Sequence, residues 1–152
     1  MVPQIQVSPI RISSTGLNLI KQFEELRSVG YVCPGGLNTI GYGHVIKAGE
    51  KFSQPLSEPE AEALLLQDVA VAVKVVHHLI KVQLTQGQFD ALVSFTFNCG
   101  AGALQRSTLR ACVNREEHGQ VPAELLKWTR SCGKFLTGLM RRRMAEALLY
   151  MT

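Results

Sequence analysis

The chain has 152 residues, 46% of them apolar and 18% charged, with a net charge of +4 and a pI near 9.0. It is long enough to bury a core without disulfides, and it lacks the run of about 18 apolar residues that spans a bilayer. The basic balance favours a polyanionic partner (nucleic acid, anionic lipid or bacterial wall polymer) without choosing among them.

Residues 1–12, MVPQIQVSPIRI, carry neither a basic start nor a long apolar stretch, so no secretion signal is expected. They read as a flexible N-terminal arm ahead of a single domain over 13–152. Ser13, Ser14 and Thr15 are candidate N-caps for a first helix. Leu17, Ile20, Phe23 and Glu24 follow on its inward stripe, the helix is expected to end near Glu24, and Gly30 is the stop signal. Tyr31, Val32, Leu37, Thr39, Ile40 and Tyr42 are β-formers around the turn signal Pro34-Gly35-Gly36, which predicts a small antiparallel hairpin with a third short strand near 43–46. Everything beyond reads as helix. Ser57 and Glu60 form a capping box opening a long helix to about His78. Thr85 opens another that stops at Gly100, and Ser107 or Thr108 a short one ending near Asn114. Pro122 suits the first turn of the next, which carries Trp128 as core packing. Thr137 or Gly138 opens the last helix, ending near Tyr150. Its Leu139, Met140, Met144 and Leu148 are expected to serve the core, and Arg141-Arg142-Arg143 a solvated face with one arginine packed against Glu146 or the helix of Glu24. The fold class is α+β: a small β lobe joined by a long helix to a larger helical lobe, with a groove between them.

Cys33, Cys99, Cys112 and Cys132 have no CxxC spacing, so no metal site and no redox motif is expected, and no cofactor. Free thiols fit best. Nothing resembles a nucleic-acid-binding motif.

The most informative segment is QFEELRSVGYVCPGGLNTIGYGH. Glu24 shares a face with Leu17 and Ile20, whereas Glu25 shares one with Asn18, Lys21 and Gln22. A carboxyl on a partly apolar face loses hydration and holds its proton more tightly, as a general acid must. The plainer alternative is an ion pair with Arg141, Arg142 or Arg143.

FEELR, YVCPGGLNTIGYGH, QFDALVSFTFNCGAGALQRSTL and GLMRRRMAEALL, in that order, resemble the tailed-phage lysozymes of glycoside hydrolase family 24, the T-even phage type. The resemblance covers about residues 13–150 and implies a lysozyme-like fold. It also implies cleavage of the β-1,4 bond between N-acetylmuramic acid and N-acetylglucosamine in peptidoglycan. Glu24 would be the general acid and Thr39 would help hold the attacking water, in inverting geometry. Cys33 stands where the family usually has aspartate, and Glu25 where it usually has glycine. A thiol is a poor base near neutrality. Cys33 could hold water with Thr39, act as a thiolate beside the developing charge, act as a nucleophile, or be a plain buried thiol. By the same resemblance, His44 and Asp68 form a structural pair between the β lobe and the long helix. Phe97, Asn98 and Thr108 supply one groove wall and Val45 the other. A monomeric endolysin is implied. It would be made in the host cytoplasm, without stable membrane association, and reach the periplasmic wall after a holin opens the membrane. A non-enzymatic wall binder and a membrane-permeabilising basic protein are the competing readings.

Overall fold

Ser13 opens the first helix, α1 (Ser14–Glu24), its Oγ accepting from the Gly16 amide at 3.2 Å. The computed structural model describes residues 9–32 and 36–152. The Ser13 amide and hydroxyl both donate to the buried carboxylate of Asp90, and Gly16 lies directly against that side chain, where a Cβ would meet Asp90 Cγ at 2.6 Å. The first helix is thereby locked to the helix that carries Asp90. Of the expected arm, 1–8 lie outside the described residues. Residues 9–12 are irregular but docked: the Ile10 carbonyl accepts from His77 Nε2 at 2.8 Å and that of Arg11 from Gln86 Nε2 at 2.7 Å.

The helix ends at Glu24 as expected, well ahead of the Gly30 stop signal. Glu25 turns the chain at φ 47°, ψ 122°, and Gly30 sits inside strand β1 (Arg27–Val32). A side chain in this left-handed region is strained by about 1–3 kcal/mol, which glycine escapes at some cost in unfolded-chain entropy. Glu25→Gly is therefore expected to stabilise the fold by about 1 kcal/mol, seen as a higher urea midpoint at unchanged slope. A lower midpoint would contradict the strain.

β1 pairs antiparallel with β2 (Asn38–Gly41), and β2 with β3 (His44–Val45). Gly41 and Gly43, at φ 68° and 83°, make the tight turn between the last two. The long helix α2 (Glu58–Leu79) follows, with the Ser57/Glu60 capping box formed. In the helical lobe α3 (Gln86–Cys99) is the central element, buried from Phe89 to Thr96 and packed against α1, α2, α4 (Ala101–Gln105) and α7 (Thr137–Tyr150). Ser107 caps α5 (Thr108–Asn114), and Pro122 lies in the first turn of α6 (Val121–Leu125).

Three expectations are corrected in the last third. Trp128 lies beyond α6, not on it, stacked edge-on against Phe95 at 5.3 Å. It leads into a two-stranded ribbon, β4 (Arg130–Ser131) and β5 (Lys134–Phe135), in a stretch where no strand was expected. Cys132 and Gly133, at φ 50° and 76°, form its turn, the positive-φ pair that two-residue hairpins require. The last helix also departs from expectation on part of its surface. Met140, Met144 and Leu148 are exposed, while Arg142, Arg143 and Glu146 face the core.

Candidate active site

Glu24 ends α1 at the mouth between the β lobe and the helical lobe. On one side it lines a cavity of about 360 Å³ with Gly43, His44, Val45, Lys47, Asp68, Phe97 and Asn98. On the other it lines one of about 460 Å³ with Phe23, Asn98, Leu136, Thr137, Gly138, Leu139 and Arg142. Glu24 and Asn98 are common to both, so the two cavities form one groove with the carboxyl at its middle. Another cavity of about 350 Å³ lies under Pro9 and Ile10, but its walls carry no acid.

The two oxygens of Glu24 have different surroundings. Oε1 accepts from Arg142 Nη1 at 2.6 Å, so the ion-pair alternative is realised with Arg142. Oε2 takes no hydrogen bond among the described residues and faces Gly43 across the groove, where a Cβ would lie only 3.2 Å from it. One oxygen is anchored and the other is open. Glu25, by contrast, is exposed.

Asp68 is the other acid on the wall, and it is fully engaged. His44 Nδ1 lies 3.0 and 2.8 Å from its two oxygens, while His44 Nε2 lies 2.8 Å from Glu50 Oε2. Carboxylates only accept, so both ring nitrogens must donate and the ring is an imidazolium. Neither nitrogen is left to act as a base. Burial pulls the His44 pKa down, but the hydrogen bonds to Glu50 and Asp68 outweigh it and hold the value above the usual 6.5. Hydrogen bonding to His44 likewise lowers Glu50. The stability this pair contributes is full below the unfolded histidine value and is lost as pH rises through the higher folded one. Asp68→Asn is thus expected to destabilise by about 1.5–3 kcal/mol at pH 5.5 and by clearly less at pH 9, in urea melts. Equal losses at both would contradict a charged histidine.

The remaining expected residues divide. Val45, Phe97 and Asn98 line the groove with Glu24. Thr39 is 4% exposed and pairs across the sheet with Val45; its hydroxyl donates to the Tyr31 carbonyl at 3.1 Å, and it does not line the cavities at Glu24. Cys33 lies outside the described residues. Thr108 is exposed as the first residue of α5 and lines neither cavity. The hydroxyl residue beside Glu24 and Arg142 is instead Thr137, from the first turn of α7.

Arg141 is exposed as expected, but two arginines rather than one turn inward. Arg142 is 4% exposed and stacks over Phe23; Arg143 is fully buried over Phe95 and pairs with buried Glu146 at 2.6 Å. Sequence reasoning had the signal, since Glu146 is three residues after Arg143 and four after Arg142 on one helical face.

The phage lysozyme family model matches residues 21–146. The chain belongs to the phage lysozyme family. An endolysin of Bacillus phage B103 is 46% identical over 145 residues, 94% of this chain and 55% of that protein. The family member described here therefore spans little more than half of that relative. Among solved structures, the endolysin of Escherichia coli O157:H7 phage FAHEc1 superposes with a TM-score of 0.86 at 36% identity, covering 95% of both chains. The muramidase domain of SpmX from Asticaccaulis excentricus gives 0.84 at 37%, covering 93% of this chain and 98% of that domain. The fold is lysozyme-like, a small antiparallel sheet set against a helical lobe.

Proposed function

We propose that this chain is a peptidoglycan-degrading endolysin, a lysozyme-type muramidase that hydrolyses the β-1,4 bond between N-acetylmuramic acid and N-acetylglucosamine. The observation that carries the reading is the divided Glu24 carboxyl, held at one oxygen by Arg142 and open at the other in the middle of a groove between lobes. Glu24 donates its proton to the bridging oxygen of a glycan strand lying along that groove. Cys33 and Thr39 position the attacking water. The Thr39 hydroxyl gives its proton to the Tyr31 carbonyl, so its lone pairs remain to accept from a water. Val45, Phe97 and Asn98 contact the sugars, and Thr137 adds a hydroxyl near Glu24. The protein acts as a monomer, made in the host cytoplasm and reaching the wall once a holin has opened the membrane. The phage endolysins and the muramidase domain among its relatives support this substrate class.

The test is turbidity loss of Gram-negative cells with permeabilised outer membranes, treated with the parent protein and with Glu24→Gln. The parent is expected to clear them and the variant to fail. Clearing by both would favour a membrane-permeabilising protein, and clearing by neither a wall binder.

A further inference from the structure

Arg142, which holds Glu24, has its own support. Its Nε lies 3.5 Å from Glu146 Oε2, and its Nη2 lies 3.4 Å from the Ser94 carbonyl and 3.5 Å from Ser94 Oγ. Ser94 Oγ in turn donates to Glu146 Oε2 at 2.5 Å. On the other side, Arg143 contacts Glu146 Oε1 through Nε at 2.6 Å and Oε2 through Nη2 at 3.2 Å, and its Nη2 also donates to Asn98 Oδ1 at 2.8 Å. Arg143 and Glu146 have no exposed surface. One buried carboxylate therefore stands between the guanidinium that holds the acid and the guanidinium that holds a groove-wall amide.

A buried ion cluster is a poor device for stability alone, because well-packed apolar side chains of similar volume often serve as well or better. Here both arms end in the groove. We propose that Glu146 is a positioning residue: its anion fixes Arg142 and Arg143, and through them the placement of the Glu24 carboxyl and the Asn98 amide. This rests on the reading of Glu24 as the proton donor. It also fixes which way Asn98 faces. Arginine only donates, so the oxygen of Asn98 must meet Arg143, which leaves the Asn98 NH2 to donate to a sugar acceptor such as an N-acetyl carbonyl.

The test is steady-state hydrolysis of soluble, uncrosslinked glycan strands by Glu146→Gln, Ser94→Ala, Glu146→Asp and Asn98→Ala, with thermal melts on each. Glu146→Gln is expected to lower kcat at least about tenfold and to raise KM, since it loosens both arms. Asn98→Ala should raise KM alone. Ser94→Ala, which keeps every charge, should lower kcat several-fold, and Glu146→Asp should recover part of the loss. Val113→Ala, a core truncation in α5 away from the cluster, controls for instability and should keep parental kcat and KM. Parental kcat and KM in Glu146→Gln would overturn the proposal, as would parental values in Ser94→Ala should the first variant not fold. Glu24→Gln run in parallel separates the levels. If it is inactive while the cluster variants are parental, only the positioning role falls; if it is active, both readings fall.

Discussion

Glu24→Gln is expected to abolish wall lysis, lowering turnover by at least about a hundredfold, the lower range for a lost general acid. The substitution is nearly isosteric and keeps an oxygen that Arg142 Nη1 can still reach. What it removes is the proton that the proposed general acid would transfer. Arg142 retains Glu146 at 3.5 Å, so no guanidinium is left without an anion, and the fold should survive with a small loss of stability. Binding of glycan should persist, because Val45, Phe97 and Asn98 are untouched. The combination of retained fold, retained binding and lost turnover distinguishes a proton donor from a structural ion-pair partner. A variant that unfolds would place Glu24 in the second role, and one that stays active would remove it from the chemistry.

Arg143→Met carries the largest expected effect on stability, about 3–5 kcal/mol, because it strips one partner from a fully buried pair. In a chain of this size that is a fall of about 10 °C in Tm. The loss should depend on pH. Burial already raises the Glu146 pKa, opposed by Arg143, Ser94 and Arg142, with Arg143 the largest of the three. Without Arg143 the carboxyl is pushed further towards its neutral form. A group whose folded pKa is raised stabilises the fold below its unfolded value and loses that contribution as pH rises. The variant should therefore be closest to the parent near pH 5 and furthest from it near pH 8. A pH-independent loss would mean that packing over Phe95, not charge, is what Arg143 supplies. The same substitution frees the Asn98 side chain, so a higher KM should accompany the lower Tm.

The sequence carried most of the scaffold, because the helices of the larger lobe announce themselves locally. Ser57 with Glu60 and Thr85 with Gln88 are capping boxes, and both are formed. Gly100 is a helix stop that the structure honours at φ 92°. The 130–135 ribbon was not legible, since each strand has two residues and its turn is Cys132-Gly133 rather than a common hairpin pair. The last helix misled for a different reason. Binary patterning assigns apolar residues to the core, but α7 buries Arg142, Arg143 and Glu146 and exposes Met140, Met144 and Leu148. The spacing of Glu146 from Arg142 and Arg143 was the local sign of that burial, while its remaining partners, Ser94, Asn98 and Glu24, come from α3 and α1, far away in sequence. Thr108, the hydroxyl expected near the groove, lines neither cavity at Glu24, whereas Thr137 lines one from the first turn of α7.

Glu24 itself was singled out by its face on α1 and by the surrounding motif, yet the motif could not say how its oxygens are divided. That division sets one oxygen on Arg142 and leaves the other opposite Gly43 in the groove. The most direct measurement is the chemical identity of the new chain ends in muropeptides released by the parent protein and by Glu24→Gln. The account predicts new N-acetylmuramic acid reducing ends from the parent and none from the variant. Reducing ends on N-acetylglucosamine, anhydro-sugar ends formed without water, or release of peptides with intact glycan would contradict it.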